Sequence, residues 1–537
     1  MSPIQTPRRL GIPVPDLLFC ILVLFYLVNG NLYINSQSLT SDESSFYDFA
    51  KRWAIGQPER VKPQTDNSKM PVSVLNIVPR AVQQVMDPEL KKSDLGWSDM
   101  IMGRRVTLLF SLLTIMLIYR WGTALYGIEA GCFAAFLTAF CPNLLASAGL
   151  VTTDSYSVFM LLWTFYLLWQ FCNKGGWKYF ILLSAAVAIS QLVKQSLFHL
   201  YILIPVSLAI WAIINKVRTK PMRFIGYLLV FVFINLLIIN TGYYFWRTGM
   251  VLGNYHFMSR LFRSVQASLP AWIPVPFPKP FVDGLDMAKY YDQVGGGIDG
   301  VSSFGKVTIL GRSSTGGSFW YYYFVSLFFK MPITYIVLIC WAGIVLAGQR
   351  TIREFSRREF FLVLPVLYYL LVLSFSYKTQ CGVRHLIFIL PLLYLIGSSL
   401  ISFVHRFYQK AFIGLLAIFL VVSVLRYWRN YFPYTNEFIL KKEMAYRYVG
   451  ASNLEFQQGR MFADKYLEQH PKVKLAGAQA GAGTYLINTS DYLDIWNRHQ
   501  FDWLRRYRLV GHVAYNWLVI DVPAEEQGEN KSSDDRR

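Results

Sequence analysis

The stretch LLFCILVLFYLVNGNLYINSQSLTSDE, residues 17–43, decides how the rest of the chain is read. Its first part, Leu17 to Ile34, is an apolar run close to the ~20 residues a helix needs to cross the hydrocarbon core. A few residues beyond it stand two adjacent acids, Asp42 and Glu43. A carboxylate pair at headgroup depth makes a poor membrane anchor. It is well placed for chemistry on a lipid-borne substrate.

Runs of the same kind recur along the chain, near 17–37, 104–120, 129–149, 155–172, 178–194, 197–215, 222–245, 331–348, 359–376, 385–403 and 409–426. Of the 537 residues, 54% are hydrophobic and only 16% charged, against roughly 25% charged in soluble domains. The expected fold is therefore an all-α polytopic membrane domain with about eleven transmembrane helices. Its first run lacks a small-residue cleavage pattern and reads as a retained anchor.

Orientation follows from Lys and Arg in the short connections. With Arg8 and Arg9 cytoplasmic, the same side carries Arg120, then Lys174 and Lys178, then Lys216, Arg218, Lys220 and Arg223. It also carries Arg350, Arg353, Arg357 and Arg358, and finally Arg406 and Lys410, whereas the opposite short loops hold only Lys194, Lys378 and Arg384. This bias puts the N-terminus inside and the C-terminal part outside, in a multi-pass membrane protein. The net charge of +20 is dispersed among loops, so it calls for membrane lipids as surroundings and for no nucleic acid. The six cysteines lie mostly within apolar runs, without the spacing of a disulfide framework or a zinc site.

The domain plan has a membrane domain over 1–426 with outer loops at about 38–103 and 246–330. A C-terminal α/β domain is expected over 427–523, outside the membrane, and a disordered charged tail over 524–537. The proline series Pro270, Pro274, Pro276, Pro278 and Pro280 predicts an extended loop. Phe319 to Ala347 is too long for one upright span, which predicts an interfacial helix through Trp320–Phe329 and a true span from Pro332. In the C-terminal domain a helix is expected at 455–469, with strands near 473–478, 484–488 and 512–522.

At the outer boundary the charged residues are Asp42 and Glu43, Arg104 and Arg105, Asp154, Lys194, Lys330, and Arg384 with His385. Cations are disfavoured on that side by the orientation bias, yet several occur at one depth. Arg as a bidentate donor and Lys as a point charge can fix a lipid phosphate there. A carboxylate beside such a phosphate suits sugar transfer from a polyprenyl-phosphate donor to an acceptor hydroxyl, with inversion. The phosphate leaves with charge stabilisation from the cations, and one carboxylate takes the acceptor proton, worth roughly 10²–10⁴-fold. Asp42 is the expected base and Glu43 its orienting or structural partner. Arg104, Arg105, Lys194, Lys330, Arg384 and His385 are the candidate phosphate ligands, with Asp154 and Trp320 in support. No metal site is expected, a divalent cation is left open, and the acceptor is unspecified among protein, lipid and glycan.

At these residues the chain resembles the GT-C type membrane glycosyltransferases, in the branch of the dolichyl-phosphate-mannose protein mannosyltransferases and the bacterial aminoarabinose and related lipid-linked-sugar transferases. The resemblance is carried by Asp42-Glu43, by Arg105, and by Gly149-Leu150-Val151-Thr152-Thr153-Asp154. It continues through Gly316-Gly317-Ser318-Phe319-Trp320-Tyr321-Tyr322-Tyr323 with Lys330-Met331-Pro332, and through Gly382-Val383-Arg384-His385-Leu386 with Pro391. It implies Asp42 as base, Arg105 near the donor phosphate and the outer loops as acceptor contacts. The chain departs from it at Ser68-Lys69-Met70-Pro71-Val72, where bacterial relatives have His-Pro-Pro-Leu. A second departure is Ala451-Ser452-Asn453-Leu454-Glu455-Phe456-Gln457-Gln458, where relatives have Asp-Ser-Asn-Leu-Asp-Trp-Gly-Gln.

Simpler readings stand beside these. Asp42-Glu43 fits a solvated turn, Arg104 and Arg105 fit snorkelling side chains, and Asp154 fits a helix N-cap. Arg384 and His385 fit an anchor for the tenth span, and Trp320 fits an interfacial belt. Two other functions use many spans. A transporter or flippase places ionisable groups near the midplane, where this chain has almost none, and a polysaccharide ligase or polymerase has no need of the acidic pair.

Overall fold

A computed structural model describes residues 14–87, 89, 96–218, 220–295 and 305–524. Arg8, Arg9 and residues 525–537 of the tail lie outside these, so the sequence's readings of them have no structural counterpart.

Each apolar run is helical, but a count of eleven spans is not confirmed. Among the described residues, six helices are long and apolar enough to cross a membrane: Val14–Ile34, Trp97–Tyr126, Asp154–Lys174, Gln195–Asn215, Pro221–Gly242 and Phe407–Leu425. Two further pairs are broken, Ile128–Ala139 with Pro142–Ala148 at 65° and Tyr322–Lys330 with Ile333–Gln349 at 111°. Trp177–Ser190, Phe360–Ser376 and Ile387–Phe403 are apolar but shorter. The breaks follow from the sequence: Pro142 and Pro332 lack the N–H that would continue a helix. The sharp turn before Ile333 agrees with the interfacial helix expected ahead of Pro332.

Trp97–Tyr126 lies at the centre, against Val14–Ile34, Ile128–Ala139 and Asp154–Lys174. Burial separates centre from perimeter, since 72% of the Asp154–Lys174 window is inside the protein and 11% of that of Pro221–Gly242. Apolar surface on the perimeter faces lipid, so association in the centre rests on close packing and internal hydrogen bonds. One such bond joins Tyr26 and Ser111 at 2.9 Å, and another runs from Tyr335 to the Leu137 carbonyl at 2.7 Å.

The long segments between the apolar helices are ordered where they are described. Asp42 precedes the helix Glu43–Ala54, and Pro71 opens a 3₁₀ turn, Pro71–Ile77, that leads into Val78–Met86. The proline series is extended, bridging Val251 to Pro274. Pro280 then starts a helix that the periodicity did not reveal, Lys279–Val294, with proline in the first turn where a missing N–H costs nothing.

The C-terminal part holds a four-stranded sheet in the order 473–475, 483–488, 517–522, 508–513, with the first pair parallel and the others antiparallel. The run ending at Val522 is thus the second arm of a hairpin. The helix expected from 455 starts at Arg460. Residues 455–458 instead form a loop held on the segment after the first helix, where Ser38 N donates to the Gln458 carbonyl at 3.0 Å and Ser41 N to the Phe456 carbonyl at 3.3 Å.

Candidate active site

Asp42 and Glu43 are adjacent in sequence and opposite in surroundings. Glu43 is fully buried and accepts five hydrogen bonds: Arg104 Nε at 2.8 Å and Nη2 at 2.6 Å, Thr40 N at 2.9 Å, Thr40 Oγ1 at 3.0 Å and Val151 N at 2.9 Å. Arg104 spends its remaining donors on the carbonyls of Ile34, Gln37 and Ser38. The Gly149–Thr153 turn reaches Glu43 because a Cβ at Gly149 would stand 2.5 Å from the Tyr33 ring. Glu43 therefore ties the segment after the first helix, the central helix and this turn together, and is not on the lining of the cavity that Asp42 lines.

Asp42 sits just ahead of the helix and makes no capping bond to it with its side chain. Its carboxyl is 31% exposed, and Oδ2 accepts from Nη1 and Nη2 of Arg384, each at 3.1 Å. Among the described residues Oδ1 has no hydrogen-bond partner. It lines a cavity of about 1100 Å³ together with Lys69, Lys194, Arg384 and His385.

Three loops bring these groups together. Val72 N donates to the Leu192 carbonyl at 3.1 Å and Gln195 Nε2 to the Asn67 carbonyl at 2.5 Å, which docks the Lys69 loop on the Lys194 loop. Lys194 Nζ is 2.6 Å from Asp154 Oδ1. Arg384 comes from the turn Val383–His385, whose start at Gly382 has φ +79°, and a Cβ there would stand 2.7 Å from the Ser452 carbonyl oxygen. Gly382 N donates to Tyr322 Oη at 2.8 Å and Val383 N to Asn453 Oδ1 at 2.9 Å. Lys330 Nζ in turn donates to the carbonyls of Asn453 and Phe432, each at 2.7 Å. The motif around Tyr322, the Asn453 loop and the Arg384 turn thus form one support for the guanidinium. Arg384 also lies over the Phe456 ring at 4.3 Å.

The electrostatics favour an ionised acid among cations. Burial pushes the Asp42 carboxyl up, but the charges of Lys69 and Arg384, with the hydrogen bonds of Arg384, outweigh it and hold Asp42 below the ordinary carboxylate range. Burial lowers the Lys69 ammonium, with Asp42 opposing. Burial, with Lys194 and Arg384 nearby, pushes His385 down to about 3, so it faces the cavity as a neutral imidazole.

Four sequence candidates are elsewhere. Arg104 has every donor engaged in the Glu43 network, so it has none for a phosphate. Arg105 points the other way, exposed, with Nε on Asn31 Oδ1 at 3.0 Å. Lys330 supports Asn453 from outside the cavity lining. Trp320 is 60% exposed and stacks on Phe375 at 5.9 Å, also outside the lining. His385 is on the lining, but as a neutral group and not a cation. Lys69 and Glu455 are cavity residues that sequence reasoning missed. Both lie in the two stretches that depart from the resembled pattern, and that coincidence was the available signal.

Among the described residues, ligand atoms close enough together for a metal ion occur at Asp494, His499 and Asp502. Asp494 is already paired with Lys306 at 2.9 Å, and none of the three lines the cavity.

The model of the dolichyl-phosphate-mannose-protein mannosyltransferase family matches residues 95–243. No curated protein matches the chain. The structure of ArnT from Cupriavidus metallidurans bound to undecaprenyl phosphate aligns over 94% of this chain and 97% of its own, at 11% identity and a TM-score of 0.50. Its apo state aligns over 95% and 98%, at 10% identity and a TM-score of 0.51. At such identities the likeness is one of fold. The resemblance to the GT-C membrane glycosyltransferases, and with it the enzyme class, is borne out by the family match over residues 95–243 and by a fold shared over nearly the whole chain.

Proposed function

We propose that this protein transfers a sugar from a polyprenyl-phosphate carrier to an acceptor hydroxyl, with inversion, on the outer face of a bacterial inner membrane. The observation that carries the reading is the meeting of Asp42, Lys69, Lys194 and Arg384 on one cavity. Undecaprenyl phosphate in the ArnT structure supports a lipid carrier of that class.

In this reading Lys69, Lys194 and Arg384 hold the carrier phosphate. Apolar side chains on the same lining, Phe198, Ile202, Leu261, Val265 and Val372, receive the start of the prenyl chain. The acceptor oxygen attacks the anomeric carbon from the face opposite the phosphate. Its proton passes to Asp42, the bond from anomeric carbon to phosphate oxygen breaks, and the lipid phosphate leaves with its added negative charge among the cations. Pairing with Arg384 keeps Asp42 ionised and fixes Oδ2, which leaves Oδ1 as the proton acceptor. A base of low pKa suffices because the acceptor hydroxyl becomes strongly acidic as its oxygen bonds to the anomeric carbon, and the phosphate leaves without a general acid.

A photo-reactive undecaprenyl phosphate added to the full-length protein in nanodiscs tests the reading. Labelling of the Lys69, Lys194 and Arg384 loops, competed by unlabelled undecaprenyl phosphate, is expected. Labelling confined to other surfaces contradicts it.

A further inference from the structure

The cavity has a second polar wall that the phosphate chemistry does not use. The C-terminal domain lines it with Glu455, Gln457, Asn488, Ser490, Asp491 and Trp496. This wall brings no Lys, Arg or His to the cavity, and it carries two carboxyl groups. It therefore suits a neutral, hydroxyl-rich ligand and repels a phosphate.

Its groups are fixed in place. Asn488 Nδ2 donates to Asp491 Oδ2 at 2.7 Å, and Asp491 N donates back to Asn488 Oδ1 at 2.8 Å. Glu455 is buried, accepting from Asn516 and, at 2.6 Å, from Gln457 N. Burial pushes its carboxyl up to about 7, so near neutrality it offers both a donor and an acceptor. Trp496 follows the buried Ile495, is 44% exposed and stands on the cavity lining. Trp496 shares the cavity lining with these fixed carboxyl and amide groups, and an aromatic face on such a lining matches a pyranose ring, whose C–H face covers the indole while its hydroxyls pair with the polar groups. The loop holding Glu455 also contacts the segment of the base, through Ser41 N on the Phe456 carbonyl.

We propose that the C-terminal wall around Trp496, Asp491, Asn488 and Glu455 binds a sugar ring of the acceptor, and hence that the acceptor is a glycan. This deepens the transferase reading and rests on it.

The test uses full-length protein in nanodiscs and saturation-transfer NMR with the neutral trisaccharides maltotriose, chitotriose and mannotriose as probes. Ring-proton signal is expected for at least one of them, weakened about tenfold by Trp496→Ala and restored by Trp496→Phe. It persists when undecaprenyl phosphate is saturating, and Trp496→Ala leaves undecaprenyl phosphate binding unchanged. Asp491→Asn gives a second, milder loss should Trp496→Ala fail to fold. No Trp496- or Asp491-dependent signal with any probe overturns the proposal. Displacement of the trisaccharide by undecaprenyl phosphate overturns it too, because the ring would then occupy the donor's place. Sugar binding is read here without turnover, so failure of the transferase reading at Asp42 would be seen separately.

Discussion

Arg104 grips both carboxylate oxygens of Glu43, at 2.8 and 2.6 Å, with no part of either side chain exposed. The next residue back, Asp42, faces the cavity. The buried pair acts as a rigid anchor one residue from the proposed base.

Breaking a buried pair leaves an uncompensated charge, which costs about 3–5 kcal/mol. Arg104→Ala is therefore expected to lower thermal stability in detergent sharply, with activity lost through misfolding. Glu43→Gln keeps the shape and is expected to cost less. An Arg104→Ala protein that unfolds like the wild type and has lost only donor affinity would return Arg104 to the phosphate.

Lys69 and Lys194 are expected to set donor affinity. Each Lys→Met change removes one charge from the proposed phosphate site and should raise the donor KM about tenfold or more, with the acceptor KM little changed. Arg105→Ala should leave both within about twofold, as for a surface position. Steady-state kinetics with donor and acceptor varied separately distinguishes these, and a donor defect for Arg105→Ala would contradict the placement.

Arg384 holds the Asp42 carboxyl down, so the acid limb of kcat/KM should lie below the ordinary carboxylate range in the wild type. Arg384→Gln removes both the nearby charge and the hydrogen bonds. The Asp42 pKa then rises, and the acid limb moves to higher pH as protonated, inactive enzyme accumulates. A pH–rate profile with an unmoved acid limb would mean that Asp42 is not the titrating base.

Gly382→Ala puts a Cβ against the Ser452 carbonyl at a backbone angle of φ +79°, a strain of about 1–3 kcal/mol. The Arg384 turn is expected to shift, lowering kcat while the protein stays folded. Gly382→Asn carries the same Cβ at a backbone conformation close to glycine-only, and is expected not to recover the rate.

Much of this site was legible from residue type and depth. Asp42, Lys194, Arg384 and His385 stand at one boundary in sequence and converge on one cavity. The Arg104–Arg105 assignment was not, because adjacent residues on a helix differ by about 100° in direction. The spacing of the buried positions Met100, Arg104, Thr107, Leu108 and Ser111 carried the answer. Lys330 could not be placed at all from local sequence, since its partners, Phe432 and Asn453, are over a hundred residues away. The count of eleven spans is not confirmed, because hydropathy sees apolar length and not helix length: three of the described apolar helices are short, and Pro142 bends a fourth run.

Asp42→Asn, assayed in single turnover with polyprenyl-phosphate sugar in excess and alongside undecaprenyl phosphate binding, tests the base directly. The expected result is transfer slowed by roughly 10²–10⁴-fold with lipid phosphate bound as well as or better than before, because a negative charge has left the site. Near wild-type turnover in that variant would contradict the mechanism.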